Sequence, residues 1–173
     1  IVAMERSFHG RTMAALSATG QSKYQQGFEP LLPGFIRVPF NNLAAVERAI
    51  TPNTCAVLVE PIQGEGGVRM ASKEFLQGVR RLCDTRKLLL IADEVQTGMG
   101  RTGTWFAYQQ SGIEPDVMLL AKTLGGGFPI GAVIARRDIA DTLTPGTHAT
   151  TYGGNPLGCA AILGVCEAIE KQE

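Results

Sequence analysis

The chain has 173 residues, 45% of them hydrophobic, with 16 basic residues balanced by 16 acidic ones. That balance favours neither a nucleic-acid nor a membrane-surface partner. The apolar content suffices for one core, so one domain is expected, and no apolar run approaches the roughly 20 residues of a membrane span.

Strand-like and helix-like segments then alternate. IVAME reads as a strand, RTMAALSA as a short helix, and residues 19–34, rich in Gly, Gln and Pro, as a long loop. FIRVPF predicts a strand, followed by a helix over NNLAAVERAI with Asn41 or Asn42 as N-cap. CAVLVEP is a continuous apolar run, suited to a strand buried on both faces. After the loop GEGG, SKEFLQGVRRLCDTRK reads as an amphipathic helix capped by Ser72, with Phe75, Val79 and Leu82 on one face. LLLIADE is a second buried strand, GMGRTG a loop, TWFAYQQSG a helix closed by Gly112, and DVMLLAK a third buried strand. GAVIARRD is a fourth, and NPLGCAAILGVCEAIEK a long helix with Pro156 near its start. Gly158 and Gly164 weaken that helix and point to close packing against a neighbour. Trp105 and Tyr108 are expected to pack a helix against the sheet. The alternation predicts an α/β fold with a mostly parallel sheet. The chain opens inside a strand pattern and stops inside a helical one, so a piece of a longer protein is expected.

Cys55, Cys83, Cys159 and Cys166 show no CxxC pairing, and His9 and His148 are the only histidines. No zinc site is predicted. The four read as reduced core cysteines of a cytoplasmic protein, with Cys159 and Cys166 on one helix face.

Three apolar strands end on ionisable residues: AVLVE at Glu60, LLLIAD at Asp93 and VMLLAK at Lys122. Ligands of open parallel α/β sheets bind beyond the carboxyl ends of the strands, so the three groups should converge at one edge. A salt-bridge cluster closing the sheet edge is one reading of them. The other is chemical. A lysine at the end of an apolar run either snorkels to water or is held uncharged, and an uncharged amine forms a Schiff base with an aldehyde. Pyridoxal phosphate supplies such an aldehyde and needs an acid beside its ring nitrogen, a role that suits Asp93. Gly125–Gly127 come close behind Lys122, after Thr123 and Leu124. The order AKTLGGG is not a P-loop, and GEGG is not a dinucleotide fingerprint. The glycines read instead as a turn that lets backbone approach a flat cofactor.

The segments SFHGRT, VEPIQGEGG, IADEVQTGMGRTG, AKTLGGGFPIGA and TTYGGNPLGCAA occur in an order and spacing that resemble the class III, fold-type I, pyridoxal-phosphate aminotransferases. The likeness is strongest to the acetylornithine and succinylornithine branch. It covers essentially the whole chain. It implies a three-layer sandwich around a mostly parallel sheet, with residues 1–173 as the central part of the large domain. The upstream phosphate-binding segment and the C-terminal small domain would lie outside.

In that resemblance Lys122 is the Schiff-base lysine and Asp93 the partner of the pyridine nitrogen. Gln96 is similar to the residue that hydrogen-bonds the ring hydroxyl, and Phe8 to the aromatic lying over the ring. Arg11 resembles a substrate-carboxylate arginine. Glu65 resembles the acid that holds and releases a second such arginine. Thr151 is similar to a phosphate ligand given to the other subunit, and Glu60 to a buried acid beside the cofactor pocket. His9 carries no proton-transfer role in this reading and is expected to be packed or exposed. The implied reaction moves the δ-amino group of an N-acylated ornithine to 2-oxoglutarate in a homodimeric enzyme, the isolated piece being inactive or nearly so. Ornithine or 4-aminobutyrate transamination, aminomutase chemistry and an inactive transaminase fragment are the alternatives.

Overall fold

A computed structural model describes residues 1–171. Six strands form the main sheet: β1 (Val2–Met4), β2 (Ile36–Val38), β3 (Ala56–Val59), β6 (Leu89–Asp93), β7 (Val117–Leu120) and β8 (Ala132–Ala135), in the order β2-β1-β3-β6-β7-β8. The first five run parallel, and β8 is antiparallel to β7. Two short strands, β4 (Ile62–Gln63) and β5 (Arg69–Met70), make a separate hairpin around the GEGG turn. The fold is the expected α/β type with a mostly parallel sheet.

Helices follow the sequence signals closely at their starts. Asn42, and not Asn41, caps α3 (Leu43–Ala49), accepting from the Ala45 N–H at 3.0 Å. Asn41 instead adopts a left-handed backbone and ties the hairpin to the next helix, donating to Met70 O and accepting from Ser72 N. Ser72 caps α4 (Lys73–Arg86), and Asn155 caps α6 (Pro156–Glu170). A β-region N-cap whose side-chain oxygen takes a free N–H of the first turn is why these residue types start helices.

The remaining short helices are α1 (Met13–Ala18), α2 (Ser22–Gln25) and α5 (Arg137–Ala140). Residues 19–34 are therefore not wholly a loop. TWFAYQQSG shortens to a 3-10 turn, Ala107–Ser111, closed by Gly112 at φ 65°. Trp105 and Tyr108 do pack, half-buried, against Met99, Met118 and Leu120 of the sheet side.

The main core lies on one sheet face. Val57, Val59 and Leu90 meet Val46 of α3 and Phe75, Val79 and Cys83 of α4. A second cluster joins Met118 and Leu120 to Ile162, Val165 and Ile169 of α6. β3 is buried throughout, as its unbroken apolar run predicts. β6 and β7 alternate: Leu89, Ile91, Val117 and Leu119 face the other side and are half-buried. The fourth strand is not buried, because it lies at the sheet edge; Val133 is 70% exposed. Gly158 packs tightly, since a Cβ there would come within 2.6 Å of Ile130, whereas Gly164 faces open space. Only Cys83 is a core cysteine, its thiol pushed up to about 12 by burial; Cys55 and Cys159 are exposed and Cys166 half-buried. No described helix is long and apolar enough to cross a membrane.

Two buried carboxylates hold this frame. Glu94 accepts from Ala107 N at 3.1 Å, Tyr108 N at 2.8 Å and the Thr97 hydroxyl, and so fixes the 3-10 turn. Asp116, just before β7, accepts from Leu90 N at 2.7 Å and from both Arg80 and Arg136. Buried charges persist only when satisfied in this way.

Candidate active site

β3, β6 and β7 are neighbours and parallel, so their carboxyl ends reach one edge together. Glu60 follows β3, Asp93 closes β6, and Lys122 stands two residues past β7. Glu60 and Asp93 are 4% and 5% exposed. Lys122 is not buried. β7 stops at Leu120, and the chain swings outward through a left-handed residue at Lys122 (φ 49°), which opens a 3-10 turn over Lys122–Gly125. Its exposed side chain lines two clefts, one of 430 Å³ beside Gly64 and Gln96, the other of 940 Å³ beside Gly126 and Gly127. Arg101 lines both, and donates to the Thr123 hydroxyl at 3.3 Å.

The two carboxyls differ in their surroundings. Glu60 accepts from the Phe8 N–H at 3.1 Å. Burial, reinforced by Asp93, pushes its pKa up to about 8, against the pull of the Phe8 N–H and of Lys122. Burial thus favours the protonated form of Glu60 near neutral pH. Asp93 is gripped from both sides: Oδ1 accepts from Val95 N at 3.1 Å, and Oδ2 lies 2.7 Å from His9 Nδ1. The His9 side chain is 2% exposed, and its buried Nε2 has no hydrogen-bond partner among the described residues. This histidine is packed, and it touches the site's central carboxylate. Its only sequence signal was its place between Phe8 and Arg11.

Phe8 is half-buried and meets Tyr24 edge-to-face, with ring centroids 5.4 Å apart. The exposed Arg11 lies over the Tyr24 ring at 4.3 Å and the Phe8 ring at 5.7 Å. Glu65, also exposed, accepts from the Tyr24 hydroxyl. Gln96 packs its amide on Gly64, where a Cβ would come within 2.4 Å of it. Thr151 stands apart, in the exposed turn ahead of α6, and makes no side-chain hydrogen bond among the described residues. The fold thus gathers Phe8, Arg11, Glu60, Glu65, Asp93, Gln96 and Lys122 at one edge. A further cleft, walled by Arg80, Asp116 and Arg136, lies at the opposite strand ends and is occupied with structural ion pairs.

The donor set fits pyridoxal phosphate. An accessible primary amine stands just past the end of β7, and the neighbouring strand β6 ends on a buried carboxylate held in place from behind, which keeps acceptor capacity for one more donor. Gly126 and Gly127, at φ 57° and 108°, turn the chain without side chains that would fill the larger cleft.

Comparison with known proteins agrees with this geometry. The family model "Aminotransferase class-III" matches residues 1–173. An acetylornithine aminotransferase of Gloeobacter violaceus is 57% identical over 173 residues, all of this chain and 43% of that protein. Its counterpart in Methanocaldococcus jannaschii is 54% identical over 171 residues, 99% of this chain and 43% of that one. Among solved structures, an ornithine aminotransferase of Toxoplasma gondii superposes with a TM-score of 0.95 at 39% identity, covering 99% of this chain and 41% of its own. An (S)-enantioselective omega-transaminase of Thermomicrobium roseum gives 0.92 at 32%, covering 99% and 44%. The chain spans less than half the length of the curated relatives it matches. Matched from end to end by the family model, the chain belongs to the class III aminotransferases.

Proposed function

We propose that the full-length protein transfers the δ-amino group of N-acetylornithine, or of succinylornithine, to 2-oxoglutarate, giving the semialdehyde and glutamate. Residues 1–173 would be the central part of its cofactor-binding large domain. The observation that carries the reading is the accessible amine of Lys122 just past the end of β7, the strand neighbouring β6, which is closed by the gripped carboxylate of Asp93. The identity of 53–58% to acetylornithine aminotransferases supports the donor. The structural likeness to ornithine aminotransferases makes free ornithine the second candidate donor.

Pyridoxal phosphate, when bound, supplies an aldehyde and a ring that withdraws electrons. Lys122 would anchor it covalently through Nζ. Once released, Nζ would take the proton from the amino-bearing carbon of the donor and deliver it to the cofactor side. Asp93, fixed by His9 and Val95, would hold the ring nitrogen. Gln96 would reach the ring hydroxyl, and Phe8 would cover the ring. Arg11 would orient a substrate carboxylate, since a planar guanidinium matches two carboxylate oxygens. Burial and the nearby Asp93 push the Glu60 pKa up to about 8, which favours its protonated form at this edge. The exposed turn carrying Thr151 and the uncovered Leu157 and Leu163 of α6 support a homodimer, with Thr151 serving the other subunit's phosphate. The reading places the enzyme in the cytoplasm.

The test uses the full-length protein. Borohydride reduction after loading with pyridoxal phosphate should label Lys122 alone, and Lys122→Ala should abolish both the label and turnover. A donor panel then ranks acetylornithine, succinylornithine, ornithine and 4-aminobutyrate by kcat/KM. Labelling that persists in Lys122→Ala would refute the anchor. A donor other than an acyl-ornithine at the head of the panel would refute the substrate.

A further inference from the structure

Tyr24 stands at the centre of a cluster that the reading above leaves unexplained. It sits on α2, half-buried, between the loop carrying Phe8 and Arg11 and the hairpin turn carrying Glu65. Its ring lies 4.3 Å from the Arg11 guanidinium carbon, and its hydroxyl donates to Glu65 Oε1. Lys23 Nζ is 4.5 Å from the same ring centroid. Arg11 makes no side-chain hydrogen bond or ion pair among the described residues. Arg11 and Glu65 share one tyrosine, yet they are not ion-paired with each other.

The arrangement has a chemical consequence. An arginine held by a carboxylate spends its N–H donors on that carboxylate. An arginine held by its face against an aromatic ring keeps all five donors free. We propose that Tyr24 is the positioning residue of the substrate-carboxylate end of the site: its ring holds Arg11 by the face, and its hydroxyl holds Glu65 off the guanidinium. The ligand class is a carboxylate carried by the amino donor or the oxo-acid acceptor, so the proposal rests on the transaminase reading. Without the hydroxyl, Glu65 is free to turn to Arg11 as well as to the second arginine that the resemblance gives it, and Arg11 is then occupied in competition with substrate. Without the ring, Arg11 loses its platform whatever Glu65 does.

The two roles separate in a double-mutant cycle. The probe is glutarate, a dicarboxylate with no amino or oxo group to react, titrated calorimetrically into the full-length, cofactor-loaded protein. The cofactor's absorbance verifies that each variant is folded and loaded. Tyr24→Phe should weaken glutarate roughly tenfold in the otherwise native protein and not at all in a Glu65→Gln background. Tyr24→Leu should weaken it in both backgrounds. If Tyr24→Phe acts equally in both backgrounds, or in neither, the role of the hydroxyl is overturned. If Tyr24→Leu binds glutarate like the native protein while Arg11→Ala does not, the role of the ring is overturned and Arg11 stands. If Arg11→Ala also binds normally, the carboxylate is read elsewhere and the whole proposal falls. The transaminase reading is judged separately, by trapping at Lys122.

Discussion

His9 Nδ1 lies 2.7 Å from Asp93 Oδ2, across 84 positions of sequence. For Asp93 to accept there, the imidazole must carry a proton on Nδ1. A hydrogen bond to a charged group contributes about 1.5–3 kcal/mol. His9→Ala should therefore weaken pyridoxal phosphate binding roughly tenfold to a hundredfold, measured by absorbance titration of the full-length apoprotein. His9→Asn, which retains a donor, should recover part of the loss. Equal affinities across the three proteins would remove His9 from the site.

Glu60 gives a signed pH dependence. Its pKa is raised in the fold from 4.5 to about 8, so the folded protein keeps a proton that the unfolded chain has lost. Between those values the unfolded state binds fewer protons, and stability falls as pH rises, by up to about 1.4 kcal/mol per pH unit. Below the lower value the contribution is fully retained, and above the upper one the loss is complete. Glu60→Gln imitates the protonated carboxyl and removes this slope. Melting curves of the apoprotein and its variant should nearly coincide at pH 5 and diverge by pH 8, with the variant more stable. Parallel curves would show that Glu60 titrates normally.

The strand ends were legible in the sequence because apolar runs and their closing charges are local signals. Glu60, Asp93 and Lys122 could be placed at one edge from order alone. Contacts such as His9 with Asp93, or Tyr24 with Glu65, were not legible, because they depend on how a loop folds back over distant strands. The exposure of Lys122 was left open for a related reason. The run MLLAK predicts a continuing strand, whereas β7 ends where its pairing ends, at Leu120. Glu94 and Asp116 were passed over because a buried carboxylate that accepts backbone N–H groups looks, in sequence, like any surface acid.

Asp116 is the clearest test of the frame. It is 3% exposed and bonded to Leu90 N, Arg80 and Arg136. Asp116→Ala leaves the largely buried Arg80 without its buried partner, with only the exposed Asp84 and the Glu114 carbonyl remaining, and should cost roughly 3–5 kcal/mol in urea unfolding of the full-length protein. The site lies at the opposite strand ends, so the folded fraction should bind cofactor normally. A cost under about 1 kcal/mol would show that the Arg80–Asp84 pair is sufficient alone.

The 173-residue piece by itself should self-associate. Val133, Leu157 and Leu163 are 70%, 66% and 63% exposed, and the edge strand β8 has an unpaired side. Exposed apolar faces and open strand edges promote association. Light scattering should show concentration-dependent oligomers or aggregates; a monodisperse monomer that melts cooperatively would contradict this.

The left-handed backbone at Lys122 sets two demands against each other at one residue. An L-residue with a side chain is less comfortable there than glycine by about 1 kcal/mol or more. Lys122→Gly should therefore yield a more stable and inert protein. Selection for folding alone would drift toward glycine at this position, as the glycines just after it illustrate. A lysine in this conformation is what the proposed anchoring role would require against the preference of the fold.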